Sequence, residues 1–313
     1  MHKMIKTVTL NAAIDKTVEV QDFRLGAVSR ISKLQLDAGG KGINVSKVIQ
    51  ALNGKSIAVG VLAGRNGEFI QAEIERRGIA HDFLYVEGET RTNLKVVDPV
   101  NSSFTDINEP GTMISEDDLK QLEEKIFKDL GSETSLVLSG SVPSSVPSSL
   151  YRQWLERAKA LGGKTFLDAE GELLREGLKA KPFLVKPNLY ELEHLVGHKL
   201  SRLEDVAAAA RNLLRQGVEV LVVSLGSEGA LFAYQEQVIH AEGLPIEVKS
   251  TVGAGDAMVA ALTLVPAGED YLARAVRWSI ATSAAQVTTP GTQPPELSKV
   301  LSYLDQVRYH LLA

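Results

Sequence analysis

The stretch most informative about chemistry combines a glycine-rich turn, an acidic side chain and an apolar run. Residues 250–256 read Ser-Thr-Val-Gly-Ala-Gly-Asp, and the following segment, 257–262, contains neither proline nor glycine and predicts a buried helix. The first N–H groups of a helix lack partners within it and carry partial positive charge, so a glycine-rich start favours an anion. Asp256 would repel that anion unless it acts as a general base that accepts a proton from a substrate hydroxyl during phosphoryl transfer. The alternative is an ordinary acid in a first helical turn.

Two common nucleotide-binding motifs do not match this sequence. In the dinucleotide motif G-x-G-x-x-G, the third glycine would fall at Met258. Residues 54–56 and 163–165 resemble the end of a Walker A loop, but the earlier glycine would fall at Ile49 and at Ala158. The missing Walker A glycine means that a nucleoside triphosphate would be bound without a P-loop. The missing glycine of the dinucleotide motif disfavours a nucleotide-dependent oxidoreductase.

A second glycine-rich turn precedes another predicted helix. Residues 38–44 read Ala-Gly-Gly-Lys-Gly-Ile-Asn. The glycines allow close backbone approach, Lys41 offers a positive charge and Asn44 a polar side chain. The alternative is a tight strand-to-helix turn with a surface lysine.

Polar residues on or beside predicted strands suit a phosphorylated substrate. Arg91, Asn93 and Lys95 alternate, so their side chains share one face of a strand, where they suit a phosphate or, alternatively, solvent. Asp15 follows the first predicted strand and suits sugar hydroxyls or a simple turn.

Two further segments suit a metal ion and a nucleotide. Asn188 and Glu191 are three residues apart after a predicted strand, and on a helix they would share a face suited to water-mediated Mg²⁺. The alternative is an Asn helix cap with a solvated Glu. Residues 224–229, Ser-Leu-Gly-Ser-Glu-Gly, predict either a nucleotide-contacting loop or a hairpin turn.

These segments are joined by alternating short apolar runs and helical patterns. Several runs are apolar on both faces, as in buried parallel strands, so we predict an α/β fold with a mostly parallel sheet flanked by helices. Catalytic groups in such folds gather at the carboxyl ends of strands. The predicted strands are 6–10, 56–61, 136–139, 165–167, 183–185 and 218–224, and the predicted helices are 45–52, 69–77, 116–128, 150–161 and 206–216.

Two segments, 18–36 and 83–108, break this rhythm with polar alternation and no helix between their strands. We expect a single domain over 1–313, with a small β-sheet lid formed by about 15–37 and 84–108. The free face of such a sheet would cover the active site or a partner subunit.

The composition excludes several functional classes. The chain has 313 residues and a formal net charge of −5 without a basic tract, so nucleic acid is not expected as a partner. The lack of cysteine excludes disulfides, Cys-ligated zinc and thiol catalysis, and fits the cytoplasm. The first ten residues lack the apolar region of a signal peptide, and no apolar run approaches the length of a membrane span.

The motifs and their order along essentially the whole chain resemble those of the ribokinase-like (pfkB) family of sugar kinases. Within this family, the chain resembles the phosphosugar branch. The branch resemblance includes Thr9-Leu10-Asn11 and Ser139-Gly140-Ser141. The family motifs are Asn-x-x-x-Asp at 11–15, Gly-Gly-Lys-Gly-x-Asn at 39–44, Lys-Pro-Asn-x-x-Glu at 186–191, Ser-Leu-Gly-x-x-Gly at 224–229 and Gly-Ala-Gly-Asp at 253–256.

This resemblance implies a role for each motif residue, with ATP and Mg²⁺ as cofactors. Asp256 would be the catalytic base, with Gly253, Ala254 and Gly255 as the anion hole. The phosphosugar would contact Asp15, Gly39, Gly40, Lys41, Asn44, Arg91, Asn93, Lys95 and Ser139. ATP would contact Lys186, Asn188, Ser224, Gly226, Gly229 and Thr251, and Asn188 and Glu191 would hold Mg²⁺ through water.

The resemblance further implies transfer of the γ-phosphoryl group to a primary hydroxyl of a ketohexose phosphate, in a homodimer paired through the lid. The pattern Arg-x-Asn-x-Lys at 91–95 favours fructose 1-phosphate, with tagatose 6-phosphate as the alternative. Fructose 6-phosphate and a non-catalytic sugar-phosphate sensor are less favoured. The chain departs from common family residues at Ser250, Ala12 and Ala257, none of which is a reacting group.

Overall fold

A ten-stranded sheet forms the centre of the protein, and a separate four-stranded sheet lies beside it. The computed structural model describes residues 4–266, 268 and 270–312. The strands are β1 (Met4–Thr9), β2 (Ala13–Val20), β3 (Ile31–Gly39), β4 (Ile57–Leu62), β5 (Ala80–Tyr85), β6 (Arg91–Asp98), β7 (Ser103–Asn108), β8 (Thr134–Ser139), β9 (Lys164–Asp168), β10 (Leu184–Val185), β11 (Val220–Ser224), β12 (Ala230–Tyr234), β13 (Gln237–Ala241) and β14 (Tyr309–Leu312).

Helices connect most of the central strands. None of the helices in the described part of the chain is long and apolar enough to cross a membrane. The helices are α1 (Lys41–Ala51), α2 (Gly64–Arg76), α3 (Glu116–Phe127), α4 (Leu150–Ala160), α5 (Gly171–Lys179), α6 (Leu189–Val196), α7 (Leu203–Arg215), α8 (Ala254–Leu264), α9 (Tyr271–Val287) and α10 (Leu297–Leu304).

The large sheet is buried on both faces, which explains its continuous apolar strands. Its order is β14-β13-β12-β11-β10-β9-β8-β1-β4-β5, and the pairings from β11 through β5 are parallel. Leu136 and Leu138 of β8 belong to the apolar core on one face, with residues of α3, α4 and α7, whereas Val137 belongs to the core on the other face, with residues of α1, α8 and α9. Successive strand residues point to opposite faces, so both must be apolar here. The predicted α/β fold is confirmed.

The sequence indicated only part of the antiparallel edge formed by β11, β12, β13 and β14, through the hairpin alternative for residues 224–229. Tyr234 pairs with Gln237, so β12 and β13 are joined by the two residues Gln235 and Glu236. Gln235 has a positive φ of 54°. Such a turn is normally indicated by Asn-Gly or Asp-Gly, and neither occurs here, so the pattern carried no hairpin signal.

The second part of the small sheet begins at Arg91, later than residue 84, where the second lid segment was expected to begin. Residues 84 and 85 belong to β5, which pairs in parallel with β4 at the edge of the large sheet. β5 is exposed or half-buried at four of its six positions. A partly exposed strand at the edge of a large sheet has the same alternation of polar and apolar residues as a strand of a lid. The sequence pattern alone therefore could not assign β5 to one sheet or the other.

The four-stranded sheet has the order β3-β2-β6-β7. Asp98, at the end of β6, anchors the far end of this sheet by accepting hydrogen bonds from the backbone N–H groups of Asp22, Phe23, Val100 and Asn101. The side-chain amide of Asn101, followed by the backbone donors, lowers the pKa of Asp98 to about 2. The carboxylate therefore contributes stability above about pH 4 that is lost as the pH falls towards 2.

A buried lysine from the central strand β1 satisfies the end of α3. The Nζ atom of Lys6 donates to the carbonyl oxygens of Lys125 and Ile126, each at 3.0 Å, and to that of Lys128. The residue is 4% exposed. These carbonyls have no partner within the helix, and the cation also favours the negative end of the helix dipole.

We expect Lys6→Met to destabilise the protein by about 2–3 kcal/mol, because buried carbonyl groups would lose a charged donor. Urea unfolding monitored by circular dichroism measures this change. Lys120→Met, which removes an exposed partner of Asp117, is the matched control and should cost less than about 0.5 kcal/mol. Equal effects of the two substitutions would contradict the capping role of Lys6.

Candidate active site

Five neighbouring parallel strands end at the same edge of the large sheet. They are β11, β10, β9, β8 and β1, and the sheet is parallel throughout this region. Their carboxyl ends therefore bring together side chains that are far apart in sequence. The residues at or directly after these ends are Ser224, Lys186, Asp168, Ser139 and Thr9.

The acid at the start of α8 lies at this edge. Asp256 is 6% exposed, and its Oδ2 atom accepts a hydrogen bond of 2.9 Å from the Nδ2 atom of Asn44 on α1. Burial raises the pKa of Asp256 to about 6, against the opposing effects of Lys41, Asn44 and Lys186. A carboxylate with this pKa is ionised at neutral pH and is matched to proton transfer there. The structure thus brings the two predicted glycine-rich turns together.

The N-terminus of α8 is open to a ligand. Gly253 is the N-cap, with a left-handed φ of 79°, and it makes no side-chain capping hydrogen bond. An ideal Cβ atom on Gly255 would lie 3.1 Å from the Nζ atom of Lys186, so a larger residue would crowd that ammonium group. The ammonium of Lys186 therefore lies beside the first turn of α8, whose first N–H groups have no partner within the helix.

Asp168 was not identified from the sequence, although it holds two of the predicted site lysines. Its Oδ1 atom lies 3.2 Å from the Nζ atom of Lys41 and 3.2 Å from that of Lys186. Burial alone would raise the pKa of Asp168, but Lys186 and Lys41 lower it below the usual value. The available signal was its position at the end of a buried parallel strand, which the expectation for α/β folds would have singled out.

A cleft of about 680 Å³ lies between the small sheet and residues 248–252 and 290–292. The inner face of the small sheet is polar, because the register of its strands places polar residues opposite one another. Asp37, Asp15, Asn93 and Asn108 form one row across the four strands, and the next row is Gln35, Thr17, Lys95 and Asp106.

The predicted sugar-contacting residues meet this cleft in different ways. The Nδ2 atom of Asn93 donates to Oδ1 of Asp15 at 3.1 Å, and burial raises the pKa of Asp15. Lys95 lies 3.4 Å from Asp106, with its ammonium over the ring of Phe104, so it is directed along the cleft and not into open solvent.

Three other predicted sugar contacts lie next to this cleft. The guanidinium of Arg91 donates to the main-chain oxygens of Asn11 and Glu109. A Cβ atom on Gly39 would overlap the carboxylate of Asp15, at 2.1 Å from Oδ2, and Gly40 has a positive φ of 112°. These glycines are therefore required by the geometry of the turn that carries Lys41.

Several buried polar atoms at the strand edge lack hydrogen-bond partners among the residues that the structure describes. They are Oγ1 of Thr9, Oδ1 of Asn44, Oγ of Ser139 and Oδ2 of Asp168. Buried polar atoms are normally satisfied, so their concentration at one edge indicates a place for a polar ligand or ordered water.

Asn188 and Glu191 form a capping box at the start of α6. The Oδ1 atom of Asn188 accepts from the N–H of Glu191 at 2.7 Å, and Oε2 of Glu191 accepts from the N–H of Asn188 at 2.8 Å. No cluster of three or more His, Asp or Glu residues suited to a metal ion occurs within the described residues. One carboxylate oxygen of Glu191 still leaves room for a water ligand, so this pair fits a hydrated cation and not a cage of direct ligands.

Ser224 ends β11, and Gly226 and Gly229 lie in the turn to the antiparallel strand β12, so the hairpin alternative for residues 224–229 is confirmed. A Cβ atom on Gly229 would lie 2.0 Å from the carbonyl oxygen of Ala241, whereas Gly226 faces open space. Gly229 is therefore required by backbone packing. Contact with a nucleotide remains a prediction for this turn and for Thr251, which lines the cleft beside the small sheet.

Another cleft, of about 840 Å³, lies elsewhere, between α5, α6 and α7. None of the residues at the strand edge lines it. The candidate active site is identified by the charged and polar side chains that meet at the strand edge, and not by the size of a cavity.

Comparison with known proteins gives matches over most of the chain. Residues 8–299 match the pfkB family of carbohydrate kinases. A 1-phosphofructokinase of Xanthomonas campestris pv. campestris is 40% identical over 260 residues, which cover 82% of each chain. The structure of phosphofructokinase-2 from Escherichia coli in complex with substrates and products has a TM-score of 0.92 and 30% identity, covering 98% of this chain and 99% of that one. Ribokinase of Arabidopsis thaliana shares the fold, with a TM-score of 0.77, 23% identity and coverage of 97% and 99%.

Proposed function

The chain belongs to the pfkB family of carbohydrate kinases, and on this premise we propose that it is a 1-phosphofructokinase, which converts fructose 1-phosphate to fructose 1,6-bisphosphate with ATP. A member of this family is a phosphotransferase with an alcohol group as acceptor. Both substrates are charged phosphates that membranes retain, so we place the reaction in the cytoplasm.

The pairing of Asp256 with Asn44 beside the open N-terminus of α8 carries this proposal. Asn44 fixes Oδ2, so the second carboxylate oxygen accepts the proton of the primary hydroxyl. The hydroxyl oxygen then forms the new bond to the γ-phosphorus, and the bond from that phosphorus to the bridging oxygen of ADP breaks.

The groups around Asp256 stabilise the transferring phosphoryl group. The N–H groups of Gly253, Ala254 and Gly255 and the ammonium of Lys186 face the space in which its negative charge accumulates. Mg²⁺, when bound, would screen the phosphate charges of ATP, and Asn188 and Glu191 would hold it through water.

The cleft beside the small sheet suits the phosphosugar. Asp15 and Asn93 offer an acceptor and donors for hydroxyl groups, and Lys95 offers a positive charge farther along the same face. Tagatose 6-phosphate would use the same kinds of contact, so the order of substrate preference must be measured.

We also propose that the small sheet pairs with a second copy of the chain. On its outer face, Leu34, Leu36 and Ile107 are each about half exposed, next to the buried Val18 and Val96. A row of apolar side chains on an open sheet is a typical subunit interface. Because the partner would pack on the outer face, dimerisation would leave the inner face of the sheet turned towards the cleft.

Asp256→Asn is expected to lower kcat by roughly 10²–10⁴-fold with little change in sugar binding, because the shape is kept and the proton acceptor is lost. In the unsubstituted enzyme, kcat/KM should fall as the pH drops below about 6, where Asp256 becomes protonated. At pH 7 the variant should unfold at the same temperature or higher, since a raised carboxyl pKa means that the ionised form opposes folding. Asp117→Asn, at an exposed position, is the control. Near-normal turnover of Asp256→Asn would refute its role as the base.

The phosphosugar preference is tested by measuring kcat/KM for fructose 1-phosphate, tagatose 6-phosphate and fructose 6-phosphate. The release of ADP reports the rate of each reaction. We expect fructose 1-phosphate to lead, and Lys95→Ala to raise its KM by about 10–100-fold, the value of one charged contact. Lys55→Ala, at an exposed site outside the cleft, should leave KM unchanged. If tagatose 6-phosphate leads and Lys95→Ala has no effect, the enzyme is a tagatose-6-phosphate kinase.

Light scattering at micromolar concentration should give the mass of a dimer. Leu34→Asp should shift the mass towards the monomer, because a charge would be buried without a partner in the interface. Leu301→Asp, at a similarly exposed leucine on α10, should not. A fully active monomer of the unsubstituted protein would contradict the proposed pairing.

A further inference from the structure

We propose that Asp168 is a positioning residue that holds the ammonium groups of Lys41 and Lys186 together beside Asp256, ready to contact the transferring phosphoryl group. This inference rests on the proposed kinase activity. It assigns a task to a buried carboxylate that neither accepts the substrate proton nor belongs to any predicted motif.

The geometry shows that both lysines share one oxygen atom. Oδ1 of Asp168 lies 3.2 Å from each Nζ atom, and the side chain of Asp168 is 1% exposed. Its Oδ2 atom has no hydrogen-bond partner within the described part of the chain. The carboxylate is therefore held in this buried position chiefly by the two cations, and it in turn fixes where they lie.

The two lysines come from different elements and approach the same space. Lys186 follows β10 with a side chain only 4% exposed, and its ammonium lies against Gly255. Lys41 is the first residue of α1, three residues before Asn44, which contacts Asp256. Its side chain is 39% exposed, so this ammonium lies at the open side of the site.

Two ammonium groups this close repel each other unless an anion lies between them. Before substrates bind, Asp168 is that anion. It prevents the lysines from turning away, and by itself it compensates only one of their two positive charges. Charged groups that are fixed in advance stabilise a transition state without having to reorganise during the reaction.

The same carboxylate affects the proposed base. Lys41, Lys186, Lys47 and Asp168 are charged groups that interact with Asp256, and Glu191 interacts with Lys41 in the same cluster. After burial, which raises the pKa of Asp256 most, Lys41 lowers it and Asp168 raises it. Removal of Asp168 and removal of Lys41 should therefore move the acid limb of the pH profile in opposite directions.

A double-mutant cycle with Asp168→Asn and Lys41→Met tests the proposal. We expect Asp168→Asn to reduce kcat/KM by roughly 30–300-fold, mainly through kcat. In the Lys41→Met background the same substitution should cost at least about fivefold less, because only one cation remains to be positioned. The acid limb of kcat/KM should move to lower pH in Asp168→Asn and to higher pH in Lys41→Met.

Asp82→Asn, which removes a partner of Lys125 at an ion pair outside the site, is the matched control and should change neither kcat nor the acid limb. If Asp168→Asn does not fold, Lys41→Arg decides the question. Because arginine can keep the contact with Asp168, it should restore kcat/KM at least about tenfold over Lys41→Met. Failure of this rescue would overturn the proposal.

Other results would also overturn it. Equal losses from Asp168→Asn in both backgrounds would show that the two residues act independently. Normal kcat at saturating Mg²⁺, with only a higher Mg²⁺ requirement, would assign Asp168 to the metal instead. Failure of the proposed function is distinguishable, because the unsubstituted protein would then phosphorylate none of the ketohexose phosphates.

Discussion

Burial of opposite charges at the carboxyl edge of a parallel sheet is the constraint on which the rest of this structure depends. Asp168 and Lys186 are almost completely withdrawn from water, and Asp256 lies nearby. Burying an ion without a partner in such a place costs several kcal/mol of folding free energy, so each charged group must lie close to one of opposite sign. Neighbouring parallel strands do this, because their ends lie side by side although the residues are distant in sequence.

The two apolar cores supply the rigidity that these charges require. Leu136 and Val137, adjacent in β8, pack into opposite cores, and α8 is apolar over most of its length. Close packing limits the movement of the strand ends and of the first turn of α8. An acid whose pKa is raised by burial opposes folding at neutral pH, and cores of this size offset that cost.

The small sheet follows a different physical rule from the large one. Its inner face carries polar rows such as Asp15 beside Asn93, and its outer face carries exposed apolar residues such as Leu34. Because the two faces alternate along each strand, one sheet provides both a polar wall for the cleft and an apolar surface for a partner. Anchoring by Asp98 keeps these faces in register at the far end.

The sequence by itself determined the α/β class, the parallel core strands, the helix α3 and the two glycine-rich turns, because these depend on local periodicity and on residues close in the chain. The structure alone decided that Asn44 contacts Asp256, that Asp168 holds Lys41 and Lys186, and that β5 belongs to the large sheet. It also revealed the hairpin at Gln235, which has no local turn signal. Contacts between residues more than a hundred positions apart follow from the order of strands in the sheet, and no local pattern encodes that order.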